Sequence, residues 1–105
     1  MPVEFKKQRR KLTAYLIGDI DHHCAEPIRM DIDKCIAADK PEVLCLDFSK
    51  VTFMDSSGVG LVMGRFRTLS VYGGRLELSG MSGAVQRVMQ LSGIGKIATI
   101  VEKKG

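Results

Sequence analysis

Short alternating or continuous stretches of apolar residues predict five strands along this chain. Lys11 to Ile17 alternates loosely and is apolar on both faces, which indicates a strand inside a sheet and not at its rim. Val43-Leu44-Cys45-Leu46 is a continuous apolar run, as expected of a central strand covered on both faces. Gly18-Asp19-Ile20-Asp21 is predicted to close the second strand as a loop. The other strands are predicted at Val3 to Lys7, Arg75 to Leu78 and Ile97 to Val101.

Apolar residues at helical spacing predict three helices between these strands. The first helix covers about Ala25 to Ala38. Because Pro27 is tolerated only in the first turn of a helix, this one is predicted to begin near Cys24, not at Asp21. The other two are predicted from about Ser57 to Val71 and, shorter, around Val85 to Met89. The apolar stripe of the second helix is predicted at Val59, Val62, Met63, Phe66 and Leu69.

The order of the predicted elements is strand, strand, helix, strand, helix, strand, helix, strand. Strands that alternate with helices require right-handed crossovers and a mostly parallel sheet. We therefore predict an α/β sandwich with a mostly parallel central sheet, an antiparallel edge strand at the N-terminus, and helices packed on the sheet. Residues 1–105 are predicted to form a single domain, since either half would be too small to stabilise a core without metals or disulfides.

The formal net charge of +4 makes nucleic acid the first partner to consider. However, aromatic residues make up only 6% of the chain and there is no Trp, so no stacking platform accompanies the basic residues. The cluster is better interpreted as a solvated turn between two edge strands, and nucleic-acid binding stays an alternative. A basic surface also favours an acidic protein partner. The clustered residues are Lys6, Lys7, Arg9, Arg10 and Lys11.

Cysteine usage and the N-terminal sequence predict a cytoplasmic protein. Three widely spaced cysteines fit free thiols in a reducing compartment better than a disulfide framework. Met1-Pro2-Val3-Glu4 has no charged-then-apolar signal pattern. No apolar run approaches the roughly 20 residues that span a bilayer, so no membrane partner is expected.

The segment from Phe53 to Gly60 carries the most unusual chemistry, because it lies where a strand-side loop enters the second helix. Four free N–H groups and the helix dipole favour negative charge at such a position. Asp55-Ser56-Ser57 supplies three good capping residues. Gly58 and Gly60 keep the first turn free of bulky side chains, so that another molecule can approach. The plainest interpretation is that one serine is a helix cap and nothing more.

Catalytic interpretations of this segment fail on spacing. A phosphate-binding P-loop needs a Lys before Ser or Thr, whereas Gly64 is followed by Arg65. A dinucleotide fingerprint needs its third glycine one residue before Gly64. A nucleophilic serine needs a histidine base, and the only candidates are His22-His23, in one loop. His22-His23-Cys24 also suits no tetrahedral metal centre. The sequence therefore predicts no enzyme, no cofactor and no metal.

Loops at one end of a parallel sheet converge. On this argument Asp21 and His22 are predicted to line the rim near Ser56. Ser82 is placed there on loop convergence alone.

The residues of three segments together resemble the anti-sigma-factor antagonists of the STAS-domain family, and most of all their sporulation type. The resemblance extends from about Val3 to Val101, and the combination of Asp-His-His with Met-Asp-Ser-Ser-Gly is specific. The three segments are Gly18-Asp19-Ile20-Asp21-His22-His23, Asp47-Phe48-Ser49-Lys50-Val51-Thr52-Phe53-Met54-Asp55-Ser56-Ser57-Gly58 and Leu91-Ser92-Gly93-Ile94.

This resemblance implies a switch by phosphorylation, with Ser56 as the phosphoacceptor. In that family the unphosphorylated antagonist binds an anti-sigma factor that is also a serine kinase, and the sigma factor is released. The kinase then phosphorylates the antagonist, which lets go, and a serine phosphatase resets it. The resemblance thus implies a substrate and ligand, not an enzyme. Candidate partner-binding residues are Asp21, His22, Asp55, Ser57, Gly58 and Ser82.

Two points leave alternatives open. Members of the family commonly carry a final helix after the last strand, whereas this sequence ends with Glu102-Lys103-Lys104-Gly105, which puts that helix in question. A STAS-type regulatory module in a stress-signalling or transporter-associated complex would have the same fold and the same serine, with a different partner.

Overall fold

Residues 2–101, which the computed structural model describes, form five strands and three α-helices. The strands are β1 (Val3–Gln8), β2 (Lys11–Ile20), β3 (Val43–Met54), β4 (Arg75–Ser79) and β5 (Thr99–Val101). The helices are α1 (His22–Asp39), α2 (Ser56–Ser70) and α3 (Gly83–Leu91), followed by a short 3-10 helix at Ile94–Lys96. The segment 102–105, where the family's final helix was in question, lies outside the described residues.

The five strands form one sheet in the order β1-β2-β3-β4-β5. β1 is antiparallel to β2, and every other neighbouring pair is parallel. The strand order follows the chain, so right-handed crossovers place all three helices on one face of the sheet. This arrangement confirms the predicted fold class. None of the helices among residues 2–101 is long and apolar enough to cross a membrane.

The core lies between that face of the sheet and the helices. Alternate residues of β2, β3 and β4 point into it, and α1 contributes one stripe of isoleucines at helical spacing. The completely or almost completely buried members include Leu12, Leu16, Ile28, Ile32, Ile36, Leu44, Leu46, Phe48, Leu69, Leu78 and Met89.

β2 is longer than predicted, because Gly18-Asp19-Ile20 continues the strand and does not close it as a loop. The partner strand β3 also continues, so that Gly18 pairs with Val51 and Ile20 with Met54. Two register shifts accompany this extension, and Gly18 has a φ of +83°, which favours glycine. The extension carries the chain from the sheet directly into α1.

The prediction that α1 begins near Cys24 was wrong, since the helix begins at His22 with Asp21 as its N-cap. Pro27 therefore lies in the second turn, where it removes the hydrogen bond to the His23 carbonyl. The Asp21 carboxylate offsets that loss by accepting hydrogen bonds from the N–H groups of His23 and Cys24, both at 2.9 Å.

β3 extends beyond the end of β4, and this difference in length determines which loops lie close together. The last β3–β4 pair is Asp47 with Ser79, and β3 continues to Met54 beside β2 alone. The Asp47 carboxylate marks the point where the strands part, since it accepts hydrogen bonds from Ser49 N at 2.9 Å and from Ser79 Oγ at 3.0 Å. Because the two register shifts take up residues of β3, this extension covers only the five residue steps of β2 from Tyr15 to Ile20, about 17 Å. It carries the start of α2 beyond the last residue of β4.

The basic cluster lies around the turn that joins β1 to β2, and of these two strands β1 is at an edge of the sheet whereas β2 is not. Three of its five cations face carboxylates of neighbouring elements: Lys7 with Asp39 at 3.1 Å, Arg10 with Glu42 at 3.5 Å and Lys11 with Glu77 at 3.2 Å. These pairs reduce the positive field that the sequence implies.

Candidate functional site

Two helix N-termini lie side by side at the end of the β2–β3 pair. Ile20 pairs with Met54, and the backbone N–H of Asp55 donates to the Ile20 carbonyl at 3.2 Å. The next residue of each strand caps a helix: Asp21 caps α1, and Asp55 caps α2 through a 2.7 Å hydrogen bond from Ser57 N. The positive ends of two helix dipoles therefore meet at one place on the surface.

Ser56 is the first residue of α2, and it is exposed. The cap of this helix is Asp55, so the interpretation that a serine serves only as the cap was wrong. Within residues 2–101 the Ser56 hydroxyl forms no hydrogen bond. Its backbone N–H, at the first helical position, has no acceptor inside the helix. The hydroxyl is thus free to react, and the surrounding backbone favours a negative charge on it.

Ser57, in contrast, faces the neighbouring helix. It lines a cleft between α1 and α2 of about 380 Å³, whose walls include His22, Glu26, Arg29, Ser57, Gly60 and Leu61. Four of the predicted partner-binding residues, Asp21, His22, Asp55 and Ser57, are thus brought together around Ser56. Glu26 and Arg29 were missed by the sequence analysis, although their helical spacing from His22 would have indicated the same face.

Gly58 and Gly60 have different roles. Gly58 is buried, and a Cβ atom there would overlap the side chain of Met54 at Cγ and Sδ. Gly60 has open space around it. The structure therefore gives Gly58 a packing role beneath the site, whereas Gly60 leaves room in the α1–α2 cleft.

A methyl group at Gly58 is expected to destabilise the protein. Gly58→Ala should lower the free energy of unfolding by about 1–3 kcal/mol, because Met54 must move out of its place. Gly60→Ala is the matched control, and it should be neutral or stabilising by up to about 1 kcal/mol, since alanine favours an exposed helix. Urea unfolding of both variants measures the difference, and equal midpoints would contradict the packing role.

Ser82 lies apart from this site. It caps α3, with its hydroxyl accepting from Val85 N at 3.3 Å, and it lines a different cleft of about 480 Å³ beside Ser49 and Val51. β4 ends opposite Asp47 while β3 runs on, so Ser82 and Ser56 follow strands that end at different levels of the sheet. A contact of Ser82 with a partner stays a prediction.

The Asp21 carboxylate is held in its charged form. The backbone N–H of Cys24 is the main cause that lowers the pKa of Asp21, followed by the Cys24 thiol. The same contact raises the pKa of Cys24, chiefly through its hydrogen bond to Asp21. At neutral pH the rim thus carries a carboxylate and a neutral thiol.

The lowered pKa of Asp21 predicts a pH dependence of stability. A carboxylate whose pKa is lower in the folded state stabilises it above the unfolded value, near 3.9. That contribution disappears as the pH falls through the folded pKa. NMR titration should place the Asp21 pKa below its ordinary value, and Asp21→Asn, which still caps, should weaken the loss of stability under acid. An unchanged acid profile in this variant would contradict the assignment.

The two histidines lie side by side at the start of α1. The His22 and His23 rings lie edge to face with their centroids 5.7 Å apart. Across residues 2–101, no three His, Cys, Asp or Glu side chains are grouped so that they could hold a metal ion.

The profile of the STAS domain matches residues 3–104. The chain belongs to the STAS domain family. This STAS domain is 31% identical over 104 residues to the anti-sigma F factor antagonist of Paenibacillus polymyxa. The alignment covers 99% of this chain and 89% of that protein. The resemblance predicted from the sequence motifs is thereby confirmed.

Two solved structures of one antagonist resemble this STAS domain. The anti-sigma factor antagonist SpoIIAA in its unphosphorylated form matches with a TM-score of 0.84 and 35% identity, covering 97% of this chain and 88% of that one. SpoIIAA from Bacillus in the phosphorylated form matches with a TM-score of 0.77 and 34% identity, covering 97% and 91%. The same fold thus exists with and without a phosphate in a relative of this domain.

Proposed function

We propose that this STAS domain is an anti-sigma factor antagonist that is switched by phosphorylation of Ser56. The unphosphorylated protein binds an anti-sigma factor that is also a serine kinase, and the sigma factor is released. The kinase transfers phosphate to Ser56, the complex separates, and a serine phosphatase restores the hydroxyl. In this scheme the protein acts in the cytoplasm as a ligand and substrate, not as an enzyme, without a nucleic-acid or membrane partner.

The observation that carries this proposal is the position of Ser56 in its helix. Its hydroxyl is exposed and unbonded within residues 2–101, whereas the capping hydrogen bond belongs to Asp55. Phosphorylation would therefore break no hydrogen bond of the folded protein. The added charge of about −1.5 to −2 would face the free N–H groups and dipole of α2. In this scheme the fold tolerates the phosphate, and the phosphate acts on the partner that binds at Ser56.

The surface around Ser56 suits a protein partner. Asp21, His22, Asp55 and Ser57 lie around Ser56, and Phe53, three residues before it in the chain, is 53% exposed. Exposed aromatic residues are enriched in protein interfaces. A group larger than a hydroxyl at the centre of such a surface would lower the binding affinity more than a change at the rim would.

The proposal is tested by binding and release in one experiment. Each anti-sigma factor kinase encoded in the same genome is titrated with the unmodified protein by calorimetry. The titration is done once with the free kinase and once with the kinase bound to its sigma factor. We expect one kinase to bind, to release its sigma factor, and to phosphorylate the protein with ATP. If every kinase proves active on another substrate and none binds this protein, the antagonist role is excluded. Binding by a kinase of a stress-signalling complex would instead favour the alternative regulatory module.

A further inference from the structure

A buried ion pair joins the two helices that begin at the site. Arg65 of α2 is only 4% exposed, and its Nε atom lies 2.9 Å from Oδ1 of Asp33 on α1. Asp33 is also contacted from the exposed side, by Arg29 Nη1 at 3.4 Å. One carboxylate thus holds a buried guanidinium and an exposed one.

Stability alone does not account for this pair. The Arg65 N–H does not point at the carboxylate oxygen, and within residues 2–101 neither Nε nor Nη1 of Arg65 forms a hydrogen bond. Burial lowers the pKa of Arg65, and the charge of Asp33 opposes that effect. Buried charges with unsatisfied donors are commonly no more stabilising than an apolar pair of similar volume. Their better-attested use is to fix one arrangement of packed elements.

The pair lies in the same interhelical seam as the site. Ser57, Leu61 and Arg65 follow one another at four-residue spacing along α2, so they share a face. On α1, Arg29 lines the cleft that Ser57 lines and contacts Asp33 one turn later. A sliding or tilting of α2 against α1 at Arg65 would therefore move Ser56 relative to Asp21 and His22.

We propose that Arg65 and Asp33 are a positioning pair that fixes the placement of α2 against α1, and thereby presents Ser56 and the α1 N-terminus to the kinase in one geometry. This inference rests on the proposed function. Apolar side chains of similar volume would keep the helices packed but would permit small shifts, since apolar contacts have little directional preference.

The test replaces the ion pair by an apolar pair. In Asp33→Leu/Arg65→Met we expect a melting temperature equal to or above that of the wild type. We also expect a KM for Ser56 phosphorylation about tenfold higher, with kcat little changed; a factor of ten corresponds to about 1.4 kcal/mol. Lys7→Gln is the matched control, because it removes an exposed ion pair with Asp39 at the opposite end of α1 from the site, and its KM should stay within about twofold of the wild type.

A second readout requires no kinase. The amide NMR shifts of residues 21–24 and 56–58 should move in the double variant and stay in place in Lys7→Gln. A wild-type KM together with unmoved shifts would overturn the positioning role. If the double variant does not fold, KM and the amide shifts are measured for Asp33→Asn and Arg65→Lys and judged in the same way. If the wild-type protein accepts no phosphate on Ser56, the proposed function is excluded, and the amide shifts alone then test the positioning role of the pair.

Discussion

Phosphorylation of Ser56 is expected to weaken binding to the kinase by about a hundredfold. A phosphate must be desolvated in the interface and fitted where the free protein presents a hydroxyl. A loss of about 2.8 kcal/mol suffices for a factor of a hundred. The fold itself should not change, because Asp55 and not Ser56 provides the cap of α2. Calorimetry with the phosphorylated protein measures the loss, and Ser56→Asp should reproduce part of it.

The control places the same charge elsewhere on the same helix. Ser70 is exposed at the last position of α2, so Ser70→Asp adds a carboxylate far from the site. We expect its affinity for the kinase to stay within about threefold of the wild type, since exposed charges beyond a Debye length interact weakly. An affinity of Ser56→Asp equal to that of Ser70→Asp would show that charge at Ser56 is not the cause of release.

Ser56→Ala is expected to abolish phosphate incorporation while the protein remains folded and bound to the kinase. The substitution removes the exposed hydroxyl and leaves the Asp55–Ser57 hydrogen bond intact, so the free energy of unfolding should change by no more than about 0.5 kcal/mol. Radiolabelled ATP and intact-mass measurement quantify the phosphate, and calorimetry quantifies binding.

Ser57→Ala is the companion variant that decides between the two adjacent serines. Ser57 is half-buried in the α1–α2 cleft, and its backbone N–H, not its hydroxyl, bonds to Asp55. The variant should therefore keep the cap and accept phosphate at the wild-type rate within a few-fold. Loss of phosphate in Ser57→Ala with retention in Ser56→Ala would move the phosphoacceptor to Ser57.

The order of the elements and the fold class were predictable because they depend on local patterns. The apolar run in Val43 to Leu46 and the helical spacing in α1 and α2 survive in the structure with small shifts of their ends. The start of α1 was not predictable by the proline rule alone. The cap by Asp21 stabilises two N–H groups, whereas Pro27 removes one hydrogen bond.

The residues that meet at the site were predictable where neighbouring strands end together. Where the strands differ in length, the sequence does not tell which loops lie side by side. Asp21 and Asp55 meet because Ile20 pairs with Met54, whereas Ser82 follows a strand that ends opposite Asp47. Strand lengths depend on pairing between distant residues, which no local pattern contains.

The buried face of α2 also differs from the predicted stripe. Val62 and Leu69 are buried as predicted, but Val59, Met63 and Phe66 are only partly buried. Leu61 and Arg65 are buried in addition. An arginine is expected at the surface from sequence alone, and its burial here follows from the position of Asp33 on a different helix.

The most direct test of the central claim is tandem mass spectrometry of the wild-type protein after incubation with ATP and the kinase that binds it. The account predicts a gain of one phosphate, with fragment ions that place it on Ser56. Phosphate on any other residue, or none with a kinase shown to be active, would contradict the switch at this helix start.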